Sequence, residues 1–434
     1  MGAADHITWI ETFRIYTHPR VVAMAFLGFS AGLPFLLVFS TLTAWLTEGE
    51  VSRSTIGFFA WIGITYSIKV LWAPIIDSVS LGLLTKRLGQ RRSWMLLGQL
   101  GIALGLVLMT LTGPGSLLLL SLSALLVALS SATQDVSIDA YRIEAAIPEH
   151  QGAMSASYVF GYRLALLVAG AGALYLAEYF SWTMAYLVMA ALMLIGMITV
   201  LLLSEPQRER GAIPLVLSAS GMRSWFRGAV IDPFVDFFMR NGKTAIIILT
   251  FIGVYKLSDI AMGIMANPFY LDLGYSKTQI AEVAKVFGFF MSVTGSFLCG
   301  ALVVKWGLMR PLLIGAVAVA ITNLFFAALS TQEPKISYLV VVISADNISG
   351  GFAATAFIAY LSSLTNKAYT ATQYALFSSM MTLPGKFLSG FSGVVVDGFG
   401  YFEFFVVAAC LGIPSILLVL YLARIKDRGQ SSQP

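Results

Sequence analysis

Ala132-Thr133-Gln134-Asp135-Val136-Ser137-Ile138-Asp139-Ala140-Tyr141-Arg142 closes one of the long apolar runs of this 434-residue chain. On an α-helix, Ser131, Asp135, Asp139 and Arg142 fall at i, i+4, i+8 and i+11 and share one face. A carboxylate in hydrocarbon costs roughly 2.5–3.5 kcal/mol on insertion scales. Two carboxylates on one stripe therefore predict a polar interior for that stripe to face. This is the pattern of a transport pathway, not of a membrane anchor.

Outward from that stretch, twelve apolar runs lie between Val21 and Ala423. The chain is 58% hydrophobic and 11% charged, with a mean hydropathy of +0.83, which excludes an ordinary soluble domain. The expected spans are 21–46, 54–77, 93–112, 116–141, 152–178, 182–204, 243–271, 279–304, 309–330, 336–364, 370–397 and 402–423. Each supplies the roughly 20 apolar residues that a bilayer crossing needs. The first run is too long for a signal-peptide core and reads as an uncleaved first helix. The net charge of +5 does not mark a nucleic-acid binder, because the basic residues fall in loops between the runs. Of the 27 Lys and Arg residues, nineteen lie on the side of the termini and three (Arg53, Lys277, Lys335) on the other. The remaining five, Lys69, Arg163, Lys256, Lys285 and Lys386, are inside runs. This bias predicts cytoplasmic N and C termini. Cys299 and Cys410 sit in apolar runs, so no disulfide framework is expected. His6, His18 and His150 lie outside the runs, which argues against a His relay or a His-based metal site. No metal or cofactor is expected.

The loop 205–242 divides the chain into a six-helix bundle over 1–204, a cytoplasmic linker, and a second six-helix bundle over 243–434. Within the linker, Phe226, Val230, Phe234 and Phe237 alternate with Arg227, Asp232 and Asp236. The segment reads equally as an interfacial amphipathic helix or as a short helix packed under the bundle. At a constant offset of 219, Ala140-Tyr141 matches Ala359-Tyr360, Ala156 matches Ala375, and Phe180 matches Phe399. The same offset aligns Glu178 with Asp397 and Trp182 with Tyr401. Together these support two parallel six-helix repeats. That is the arrangement of the major facilitator superfamily: an all-α polytopic membrane protein with 12 transmembrane helices. Asp77, followed by Gly89-Gln90-Arg91-Arg92, resembles the loop motif of that superfamily with a longer insertion. The resemblance implies a cytoplasmic latch drawing on Asp77, Arg91, Arg92 and Arg142.

Further stretches carry a narrower resemblance: Phe26-Leu27-Gly28-Phe29-Ser30-Ala31-Gly32-Leu33-Pro34, Lys69-Val70-Leu71-Trp72-Ala73-Pro74-Ile75-Ile76-Asp77 and Phe160-Gly161-Tyr162-Arg163. Tyr255-Lys256-Leu257-Ser258-Asp259, Asn366-Lys367-Ala368-Tyr369-Thr370-Ala371-Thr372-Gln373 and the opening stretch complete the set. Spread in order over nearly the whole chain, they resemble the AmpG-type muropeptide permeases. The resemblance implies import of anhydro-muropeptides, the disaccharide–peptide fragments of turned-over cell wall. Import would run with protons across the bacterial inner membrane, powered by the proton gradient and without a cofactor. It implies a multi-pass monomer whose partners are the muropeptide, protons and the lipid bilayer, with no nucleic acid. The eukaryotic acetyl-CoA transporters are distant relatives, so another bulky anion, an acyl-CoA or a drug-like solute, is the alternative cargo.

An isolated cation inside a run is expected to face a wet cavity or an anion. Lys69 and Arg163 read as contacts for substrate carboxylates, Arg163 by a bidentate fork, or as structural partners of Asp135 and Asp139. Asp135 is preferred for proton coupling, because burial and a neighbouring cation act on its ionisation in opposite directions. Asp139 lies nearer the latch, with Arg142 and Glu144. The offset turns this pair into Ala354 and Ile358, so proton chemistry is expected in one half. Lys256 and Asp259, three apart, can pair, and Asn267 continues roughly on that face. Arg163 maps to Thr382, one turn before Lys386, so each half is expected to present a cation to a central cavity; an Asp346–Lys386 ion pair is the rival reading. The candidate substrate contacts are thus Lys69, Gln134, Tyr162, Arg163, Lys256, Asn347 and Lys386. The candidate proton groups are Asp135, Asp139, Asp259 and Asp346. Gly170, Gly172 and Ser349-Gly350-Gly351 are expected to permit close helix packing. A membrane enzyme could use Asp135 and Asp139 as an acid–base pair, but the chain offers no zinc motif and no paired nucleophile and base. A transporter is expected, not an enzyme.

Overall fold

The computed structural model describes residues 14–51, 59–147, 150–207, 224, 226–263, 265–276, 279–389 and 391–431. Arg53, Lys277 and, in the linker, residues 208–223 and Trp225 lie outside the described residues. Among the described residues the regular structure is helical. Ten helices of the described residues are long and apolar enough to cross a membrane: Pro19–Leu46, Gln90–Thr112, Leu117–Ala145, Gln151–Tyr179, Trp182–Leu202, Thr244–Asp272, Glu282–Trp306, Met309–Leu329, Ile336–Leu364 and Tyr401–Ile425.

The second and eleventh expected spans are interrupted instead. Over 59–78 the chain forms 3-10 turns at Ala60–Gly63 and Lys69–Leu71 and short α-helices at Ile64–Ser67 and Ala73–Ser78. Pro74 sits in the first turn of the last piece. There its missing N–H is tolerated, but a continuous helix could not bond back to Val70. The eleventh segment is Thr370–Ser389 followed by Ser392–Phe399. The seventh is also broken, at Lys256, between Thr244–Tyr255 and Leu257–Gly263.

The Leu117–Ala145 helix shows how the chain is solvated. Leu118, Leu122 and Leu129 are exposed along one side, while Ser131, Gln134, Ser137, Asp139 and Arg142 are buried. Apolar outside and polar inside is the order that a lipid surround demands. Tight glycine contacts set the bundle. A Cβ on Gly161 would strike the Ala25 carbonyl, and one on Gly28 the Tyr158 carbonyl. The Pro19–Leu37 and Gln151–Leu167 helices therefore touch backbone to backbone. Gly351 plays the same part against Ser292. Gly350 has open space at its Cβ position, and Gly170 and Gly172 lie in a π-turn, Val168–Gly172.

Before the linker, one apolar core gathers Leu33, Ile102, Leu106 and Tyr186. After it, another gathers Phe251, Phe357 and Phe377. The linker helix Asp232–Asn241 is packed, not free: Phe237 is 1% exposed and its ring lies 5.1 Å from that of Phe377. Asp236 accepts hydrogen bonds from Asn366 and Gln373.

Candidate functional site

Charge collects in three places. The first is the end of the bundle that carries Arg20, Glu205 and Lys367. Here Arg91, fully buried, donates from Nη2 to Asp77 at 2.7 Å and to Glu144 at 2.6 Å, and from Nε to both Glu144 oxygens. The same Nη2 donates to Thr370 Oγ1 at 2.6 Å, and Thr370 Oγ1 in turn donates to Glu144. Asp77 accepts the backbone N–H groups of Ala371 and Thr372 at 3.1 and 2.7 Å and the Thr372 hydroxyl at 2.8 Å. These are first-turn N–H groups of the Thr370–Ser389 helix, which lack partners within their own helix and attract a carboxylate. A residue from one half thus caps a helix of the other.

Arg142 adds a second crossing. It pairs with Asp139 at 3.1 Å, donates to Ser362 at 2.6 Å, and lies 5.2 Å from the centre of the Tyr374 ring. Arg92 departs from the expected latch. Its guanidinium donates to the carbonyls of Val200 and Leu201, closing the end of the Trp182–Leu202 helix. Glu205 accepts the N–H groups of Arg91 and Arg92 at 2.7 and 3.2 Å. Burial pushes the Glu205 carboxyl above its ordinary range, against the pull of those two N–H groups.

The second place is mid-bundle, around Asp135. Its Oδ1 is buried without a hydrogen-bond partner, and Lys69 and Asp139 are the charged groups that act on it. Tyr66, Tyr158 and Tyr162 surround it. The break in the second segment places Lys69 here. Lys386 belongs to this group as well: it donates to Ser67 at 2.7 Å and has Lys69 as a like-charged neighbour. Gln134 is occupied with Ser30, accepting its hydroxyl at 2.7 Å and donating to its carbonyl at 3.0 Å.

The third place is a cavity of about 190 Å³ lined by Arg163 of the Gln151–Leu167 helix and by Asp259, Tyr270, Ser292, Asp346 and Asn347. Lys256 pairs with Asp259 at 2.6 Å as the local spacing predicts. The side chain of Asn267 lies outside the described residues. The structure therefore brings Arg163 together with Asp259, Asp346 and Asn347, and puts Lys386 on the opposite group, with Lys69. Residues missed in the sequence are Thr370, Thr372, Ser362 and Glu205 at the latch and Ser292 in the cavity. Their types carry no signal, and the partners of the four latch residues lie far away along the chain.

The chain matches the Major Facilitator Superfamily over residues 21–388 and 247–434. It superposes on a proton:xylose symporter of that superfamily, XylE, with a TM-score of 0.65 at 14% identity, covering 95% of each chain. Fold and buried charges define a major facilitator transporter. It is 34% identical over 412 residues to a putative transporter AmpG 4 of Rickettsia conorii, covering 94% of this chain and 98% of that one. It is 32% identical over 413 residues to the anhydromuropeptide permease of Escherichia coli K12, covering 94% and 81%. The chain belongs to the AmpG-type permease family of the major facilitator superfamily and is a transporter, not an enzyme.

Proposed function

We propose that this protein imports anhydro-muropeptides into the bacterial cytoplasm by alternating access, coupled to protons. The reading rests on the 32% identity to an anhydromuropeptide permease across 94% of the chain. The site supports it chemically. A muropeptide carries several carboxylates, and Arg163, Lys69 and Lys386 supply cations at two mid-bundle places for them. The six-plus-six division at 205–242 lets the halves rock about these places. Asp135, buried beside Lys69, is the proton-coupling group. The basic-residue bias sets the latch end in the cytoplasm, with both termini, in the inner membrane. The protein acts as a monomer.

The test is uptake of a labelled anhydro-disaccharide peptide into proteoliposomes, with and without an inward proton gradient. Accumulation only with the gradient supports the reading. Exchange without any response to the gradient removes proton coupling. Movement of an acyl-CoA or another bulky anion, but not of the muropeptide, transfers the assignment to that cargo.

A further inference from the structure

The cavity shared by Arg163 and Asp346 holds opposite charges from opposite halves of the chain. Asp259 is already engaged by Lys256. Among the described residues, the Arg163 guanidinium and the Asp346 carboxylate take part in no hydrogen bond and no ion pair within 4.0 Å. A purely neutralising pair gains most by closing to contact, since attraction at low dielectric grows steeply as the charges approach. Here separate helices, Gln151–Leu167 and Ile336–Leu364, carry the two groups. Ser292, 1% exposed, lines the same cavity, and its hydroxyl has no hydrogen-bond partner. A buried donor left unsatisfied is costly; Ser292 is one, and the half-buried Arg163 and Asp346 line the same cavity with open bonding capacity, so the three together point to a ligand.

The volume limits that ligand. About 190 Å³ is less than the roughly 300 Å³ at the lower end of sites that enclose a whole drug-sized molecule. The cavity takes one end of a larger solute. A lone carboxylate on Arg163 would meet Asp346 as a like charge. A lone ammonium on Asp346 would meet Arg163. A neutral sugar would bury both charges unpaired. A head group bearing both charges satisfies both.

We propose that this cavity is a receptor for an α-amino acid head group, in which Arg163 holds the carboxylate and Asp346 the ammonium on the same carbon. Ser292 and Asn347 complete the polar lining. This rests on the muropeptide reading and adds which end of the peptide the transporter selects.

The experiment uses the full chain in proteoliposomes and measures counterflow exchange at equal pH on both sides, so that no gradient is needed. Three labelled anhydro-disaccharides are compared. One has no peptide. One carries a peptide whose last residue is a diamino-diacid with a free ammonium and carboxylate on one carbon. The third is the same peptide with that amine acetylated. The free-amine solute is expected to half-saturate at a concentration roughly tenfold or more below the acetylated one. Asp346→Asn is expected to bring that ratio close to one, and Asp346→Glu to retain it. Equal half-saturation of the two peptides in the wild-type protein, which requires no variant, overturns the proposal. So does full discrimination by a folded Asp346→Asn protein. Exchange of the peptide-free disaccharide leaves the muropeptide reading standing in either case. If none of the three exchanges, that reading falls and the head-group site falls with it.

Discussion

At the latch end, Arg91 is 0% exposed yet meets Asp77, Glu144 and Thr370 within 2.7 Å. In the mid-bundle cavity, Arg163 faces two carboxylates and is in salt-bridge contact with neither. Arg91 is fully buried, and Arg163 is half-buried at the wall of the cavity. The latch groups answer their desolvation with hydrogen bonds from both halves, and so they hold one arrangement of the molecule. The cavity groups leave their bonding capacity open, and so they are available to a solute. A buried charge that is satisfied within the fold serves conformation; one that is not serves a ligand or a proton.

The largest test of that contrast is Arg91→Ala. It leaves Asp77 and Glu144 buried without their cation, and breaking such a pair costs about 3–5 kcal/mol. Thermal unfolding in detergent is expected to show a marked loss of stability. Arg163→Ala is expected to change stability by no more than about 1 kcal/mol, because it removes a charge without an ion-pair partner. Similar stability losses in the two variants would break the comparison.

Transport reverses the order. Arg163→Ala is expected to weaken muropeptide binding roughly 10- to 100-fold, the worth of a hydrogen-bonded charge contact. Arg163→Lys is also expected to be costly, because an ammonium cannot fork onto a carboxylate. Equilibrium binding of a labelled muropeptide checks both, and a fully active Arg163→Lys protein would rule out the fork.

Asp135→Asn is expected to retain binding and exchange but to lose accumulation. One pH unit across the membrane supplies about a tenfold concentration ratio per proton, so the variant should show a ratio near one where the wild type shows about ten. Unchanged accumulation would remove Asp135 from the coupling step.

The smallest effect concerns Glu205, which belongs to the latch end but is only partly matched there. Burial raises its carboxyl above the ordinary value of 4.5, so the folded chain binds that proton more tightly than the unfolded one. Its contribution to stability therefore declines as pH rises from about 4.5 through the raised folded value, and is level above it. Glu205→Gln is expected to flatten that part of the stability profile. A wild-type profile that rises relative to the variant over the same window would contradict the burial argument.

Much of the fold is legible residue by residue. The stripe Ser131, Asp135, Asp139, Arg142 depends only on helical period, and it faces inward. Lys256 and Asp259 pair because they lie three apart on one chain segment. Asp77 and Arg91 stand out because, with Gly89, they resemble the loop motif of the superfamily. The breaks are harder to read: Pro74 signals one at the second segment, but Lys256 gives no comparable warning in the seventh. The repeat offset places Lys386 one turn from the counterpart of Arg163, yet the structure sets Lys386 on Ser67 beside Lys69.

By itself, then, the sequence determined that this is an all-helical membrane transporter with an inward polar stripe. Side-chain period and the cost of charge in hydrocarbon act locally, and no fold is needed to apply them. Tertiary structure decided which charges are matched. Asp77 reaches the start of the Thr370–Ser389 helix, and Arg163 comes to face Asp346 and not Lys386, through helix breaks and glycine-permitted contacts between distant segments. Those depend on how whole helices lean on one another, and no window of residues contains that information.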